Sequence, residues 1–91
     1  MNSREEMLEK KKKEVLLNPP SVILGKKGIT HDFLDHLRKI LKREKMVKVK
    51  ALKSAVVGTK IDALAQEIAQ RTNTSLIDLR GRTFILSKYS P

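Results

Sequence analysis

Leu24-Gly25-Lys26-Lys27-Gly28-Ile29-Thr30 is the stretch on which the fold turns. In front of it stands Ser21-Val22-Ile23-Leu24, a short apolar, β-branched run that reads as a strand buried on both faces. Behind it, Thr30 is placed to cap a helix reaching to about Arg43, with Phe33, Leu34, Leu37, Ile40 and Leu41 on one face at i, i+3, i+4 spacing. The seven residues therefore link a strand to a helix, and the rest of the chain can be read outward from that link.

Toward the N-terminus, Asn2 to Leu17 reads as a helix, with Ser3 as a cap, Glu5 and Glu6 near its positive end and Lys10 to Lys13 in later turns. Its apolar stripe is thin, only Met7, Leu8, Val15 and Leu16, so its first turn is expected to fray. Asn18-Pro19-Pro20 ends it, because proline has no N–H to donate and disfavours helix in the preceding residue. Toward the C-terminus, Met46 to Ala51 alternates with period two, Val47 and Val49 on one face and Lys48 and Lys50 on the other. Lys53 to Gly58 reads as a connection. A third helix is expected from about Lys60 to Arg71, capped by Thr59, with Ile61, Leu64, Ala65, Ile68 and Ala69 facing the core. Thr72-Asn73-Thr74 breaks it, and Ser75 to Leu79 and Thr83 to Lys88 are strand-like runs around an Arg80-Gly81-Arg82 hairpin turn. The order is α-β-α-β-α-β-β. It predicts a two-layer α+β fold in which a four-stranded mixed sheet is covered by helices.

Ninety-one residues allow one core and not two, since a chain this short buries only about 60 to 65% of the surface it exposes when unfolded. Residues 1–91 are thus expected to form a single domain. Twenty Lys and Arg against ten Asp and Glu give a formal charge of +10. Such an excess repels itself in a compact state and is usually matched by a polyanion: nucleic acid, an anionic membrane or an acidic protein. No apolar run approaches the roughly 18 residues of a membrane span, and the N-terminus carries no signal-peptide core. A soluble, cytoplasmic protein without a membrane partner is expected. With no cysteine there is no disulfide framework and no thiolate for metal binding or catalysis.

Chemistry concentrates in Gly25-Lys26-Lys27-Gly28. Glycine lacks the Cβ that would hold a phosphate away from the main chain, and the free N–H groups at the following helix start favour an anion. Lys26 and Lys27 add two mobile positive charges at the tip. A bare G-x-x-G is more often only a turn; its strand-to-helix setting, paired lysines and the basic chain make this one a phosphate-binding candidate, with Thr30 at the helix start. Lys48 and Lys50, and Arg80 and Arg82, are candidates to extend the patch. Lys10 to Lys13 reads as a solvated helix face. Aromatic residues are scarce: Phe33 and Phe84 belong with the core, leaving Tyr89 as the one ring free to stack on a base, which argues against a stacking platform. His31 with Asp35 and Asp32 with His36 pair at i, i+4, but two ligands on one turn fall short of a metal set. No nucleophile triad or metalloprotease motif is present, so no cofactor, metal or small-molecule substrate is expected.

Leu24 to Thr30 with its amphipathic helix, then Val47-Lys48-Val49-Lys50, a further helix, and Gly81-Arg82-Thr83-Phe84-Ile85-Leu86 together resemble a CRM domain. This is the domain of chloroplast splicing factors and of stand-alone bacterial and archaeal proteins associated with ribosome precursors. The resemblance runs from the first helix to Tyr89. It implies a fold related to the C-terminal domain of translation initiation factor three, and non-catalytic binding of structured RNA, such as ribosomal RNA or its precursor, through the glycine loop. Two departures stand out: Thr72-Asn73-Thr74 replaces a Thr-Gly-Gly turn, and Leu86-Ser87-Lys88-Tyr89 replaces a Leu-Tyr-Arg ending. Two other readings compete with it. One is a chromatin-like protein that coats DNA or RNA without sequence preference; the other is an enzyme using His31 and Asp35.

Overall fold

The computed structural model describes residues 3–89. In chain order these form helix α1 (Ser3–Leu17), strand β1 (Val22–Leu24), helix α2 (His31–Glu44) and strand β2 (Met46–Ala51). A turn of 3-10 helix (Lys53–Ala55), helix α3 (Ile61–Arg71) and the hairpin strands β3 (Ser75–Arg80) and β4 (Thr83–Ser87) complete it. The sheet order is β1-β2-β4-β3. β1 pairs parallel to β2, whereas β4 is antiparallel to both β2 and β3, so β1, β2 and β3 share a direction and β4 fills the place between the last two.

One face of the sheet carries the core. Val22 and Leu24 of β1, Val47, Val49 and Ala51 of β2, and Phe84 and Leu86 of β4 meet Leu37, Ile40 and Leu41 of α2 and Leu64, Ala65, Ile68 and Ala69 of α3. This is the expected α+β core. The register explains which residues enter it: Val47 lies opposite Leu86 and Val49 opposite Phe84, and cross-strand partners share a face. In β3 strict alternation after Leu76 would aim Asp78 into the core. A bulge between Leu76 and Asp78 prevents this by shifting the register one place, so that Leu79 pairs with Phe84 on the core side and Asp78 pairs with Ile85 on the reverse side.

On that reverse face α1 lies over β2, and Met46 and Ile85 are buried there. None of α1's own residues is fully buried; Leu8, Lys11, Lys12, Val15 and Leu16 form a half-buried stripe. Asn2, placed in this helix from the sequence, lies outside the described residues. β1 is an edge strand with one buried face and not two, because Ile23 points to the uncovered part of the reverse face and is half exposed.

Helix ends also refine the reading. Thr30 caps α2 as expected, its Oγ1 accepting from the Phe33 N–H at 3.0 Å. The N-cap of α3 is Lys60 and not Thr59, and no side chain bonds there; Asp62 Oδ1 instead accepts from the Ala63 N–H at 2.9 Å. At the other end of α3, Asn73 takes a positive φ of 54°. Asparagine tolerates this conformation, which accounts for a turn without glycine. The buried Thr72 hydroxyl supports the turn by donating to the Ile68 carbonyl at 2.8 Å. Arg38 of α2 donates to the Arg71 carbonyl at 3.0 Å and joins the two core helices.

Candidate nucleic-acid interface

The glycine loop is a hydrogen-bonded turn held by its backbone. The Gly28 N–H donates to the Gly25 carbonyl at 2.9 Å, which leaves Lys26 and Lys27 at the two central positions, both exposed. Gly28 has φ +72°, a conformation that favours glycine. Gly25 differs: its φ is ordinary and a Cβ there would meet nothing within 4 Å, so nothing in the folded chain requires glycine at this position. Half-buried Ile29 packs against the core, and the Thr30 N–H donates to the Gly28 carbonyl at 3.0 Å, fixing the loop to the start of α2.

Since β1, β2 and β3 run the same way, the segments that follow them emerge at one end of the sheet. These are the glycine loop, the connection beginning with Lys53, and the β3–β4 turn. Two backbone hydrogen bonds tie them together: Leu52 N–H to the Leu24 carbonyl at 2.9 Å and Ala51 N–H to the Arg82 carbonyl at 2.8 Å. The hairpin loop is Gly81-Arg82, two residues rather than three, with Arg80 paired to Thr83 and Gly81 at φ +57°. Lys50 and Arg80 project from the reverse face beside this end, Lys50 opposite Thr83 and Arg80 exposed. The starts of α2 and α3 lie at the same end. Sequence reasoning missed Lys53 and Lys60, also exposed here. The available signal was positional, since both lie in a loop that leaves a strand parallel to β1.

Lys48 has a different position. Its Nζ donates to the Leu16 carbonyl and the Asn18 carbonyl, each at 2.9 Å. The last turn of α1 has no basic residue of its own, so Lys48 supplies both the donor and the positive charge that a helix C-terminus favours. The sequence reading grouped Lys48 with the contact patch; in the structure its ammonium fastens α1 to the sheet. Lys48→Ala is expected to loosen α1 by about 1.5 kcal/mol, the low end of the range for hydrogen bonds to charged groups. The measurement is amide hydrogen exchange, about tenfold faster across α1 with β2 and β4 unchanged.

His31 Nδ1 lies 3.0 Å from Asp35 Oδ2, and Arg38 lies 3.3 Å from the other oxygen of the same carboxylate. All three side chains are substantially exposed, and Asp35 bridges His31 and Arg38 on the helix surface. No cluster of three potential metal ligands occurs among the described residues. Nor is any described helix long and apolar enough to cross a membrane. Tyr89 lies beside α1, sharing a shallow groove with Arg4, Met7, Leu8 and Lys11, away from the glycine loop.

The model of the CRS1 / YhbY (CRM) domain matches residues 3–88. The chain belongs to this family. The match takes in the glycine loop, all four strands and all three helices of the CRM domain. Among solved structures, the CRM domain is similar to the solution structure of the hypothetical protein SAV1595 from Staphylococcus aureus, described as a candidate RNA binding protein. The TM-score is 0.70 at 18% sequence identity, over 91% of this chain and 84% of that one, which establishes a shared fold. None of the curated proteins compared with the CRM domain matches it.

Proposed function

We propose that this CRM domain is a non-catalytic module that binds structured RNA, ribosomal RNA or its precursor, in ribosome assembly or RNA folding. The observation that carries the reading is the convergence at one sheet end of the Gly25–Gly28 turn, the capped start of α2 at Thr30, and the cations Lys50, Arg80 and Arg82. A phosphate at Gly25 would meet open backbone near the positive end of α2, with Lys26 and Lys27 exposed at the tip of the turn. That a glycine stands at position 25 without a conformational or packing need supports close approach of a ligand there. Membership of the CRM family and the fold shared with a candidate RNA binding protein support RNA as that ligand. Lys48 is left out of the proposed surface, and a cytoplasmic location is part of the same proposal.

The test compares a structured ribosomal RNA fragment with duplex DNA of equal length over a range of salt. Five cations, Lys26, Lys27, Lys50, Arg80 and Arg82, would give a log–log salt slope of roughly −3.5 to −4.5 if each neutralises one phosphate. The RNA should bind at least about tenfold more tightly than the duplex DNA. Equal affinity for both would favour a chromatin-like coat. Crosslinking and sequencing of RNA bound in cells should recover precursor ribosomal RNA.

A further inference from the structure

Beside α1, on the reverse face of the sheet, a groove of about 470 Å³ opens between the C-terminal half of the helix and strands β4 and β3. Its apolar surface comes mainly from Leu16 and Leu17, with buried Ile85 beneath them; Lys13, Arg80 and Asp78 supply the charge, together with Lys48, whose ammonium is held by the Leu16 and Asn18 carbonyls. Leu17, at the mouth of the groove, is 87% exposed. The groove is continuous with the proposed interface: Ile85 and Asp78 are cross-strand partners, the next pair on the same face is Thr83 with Arg80, and Lys50 lies opposite Thr83.

We propose that this groove receives an unstacked nucleobase from a single-stranded stretch flanking the RNA held at the glycine loop. The proposal rests on the RNA-binding reading above and adds a second, separable contact. The chemistry of the walls selects the occupant. An apolar floor takes the flat face of a base, and the cations Lys13 and Arg80 match the phosphates on either side of it. The Asp78 carboxylate, bonded to Arg80 Nε at 3.3 Å through Oδ2, accepts from an exocyclic amino group. An acidic peptide would also satisfy the cations, but it would bring carboxylates against Asp78 with no donor to offer it. A purely apolar partner would bury Lys13 and Arg80 without counter-charge. Uracil places two carbonyl acceptors around its one ring N–H, so adenine fits the carboxylate better.

The experiment uses the full chain and three RNAs: a hairpin, the same hairpin with a tail of about six adenosines, and one with about six uridines, a length within the range of single-strand sites. The adenosine tail is expected to tighten binding about fivefold, close to 1 kcal/mol, and the uridine tail less. Leu17→Glu, at an exposed position, should abolish the gain and leave affinity for the bare hairpin unchanged. Methyl NMR signals of Leu16, Leu17 and Ile85 should shift with the tailed hairpin and not with the bare one. A tail that adds nothing in the unmodified protein, or a gain that survives Leu17→Glu, overturns the groove assignment. So does a labelled hexaglutamate peptide that shifts these methyls when the tailed RNA does not, which would make the ligand an acidic peptide. Failure of the glycine-loop reading is visible separately, as bare-hairpin affinity unchanged by Lys26→Glu with Lys27→Glu.

Discussion

Lys26→Glu combined with Lys27→Glu is expected to weaken binding to structured RNA at least about tenfold, or about 1.4 kcal/mol, and to leave the fold intact. The fold should tolerate the change because the turn is closed by backbone groups, Gly28 N–H to the Gly25 carbonyl, and both side chains are exposed at its tip. Each replacement removes two units of charge, so the net +10 becomes +6. A control must therefore carry the same loss elsewhere. Lys39→Glu with Lys42→Glu, on the exposed side of α2, meets that need. An electrophoretic titration should show the large loss only for the loop variant, with circular dichroism melts reporting folded protein in both. Equal weakening in the two variants would reduce the effect to overall charge, and unchanged affinity in the loop variant would remove the loop from the interface.

The largest stability effect is expected from Phe84→Ala, at about 3–5 kcal/mol. Phe84 is fully buried and stands in β4 between Val49 of β2 and Leu79 of β3, so its ring touches the middle of the sheet under the core helices. A domain of this length has a total stability of roughly 5–14 kcal/mol, so the substitution removes much of it. The melting temperature should fall by on the order of 20 °C. A drop of less than about 5 °C would mean that the core closes over the missing ring.

Much of this was legible in the sequence, and the reason is locality. The spacing of Leu34, Leu37 and Leu41 places α2, the alternation of Val47 and Val49 with lysines places β2, and Thr30 caps where its neighbours say it should. What escaped depends on partners distant in the chain. A cap for α1 in the form of Lys48 comes from more than two dozen residues away and leaves no local pattern. The half-exposed face of β1 follows from its edge position and from where α1 stops, neither of which Val22-Ile23-Leu24 encodes by itself. The bulge in β3 is hidden because Leu76 to Arg80 reads as a strand in either register, and only the opposing Phe84 decides which leucine turns inward. For the glycine loop, its local form was legible from its residues. Its grouping with Lys50, Arg80 and Arg82 needs the parallel course of three strands.

The position of β4 has a consequence for synthesis. It is the last strand in chain order, yet it occupies an interior place, so a growing chain that has produced everything up to Arg80 holds β2 and β3 with no strand between them. Both strands then present unpaired edges, a state prone to sticking to other chains. The sheet cannot close until its final segment is available, and the converged basic end cannot exist before then. If the proposed interface holds, a nascent chain would be unable to engage RNA through it until translation of the domain is nearly finished.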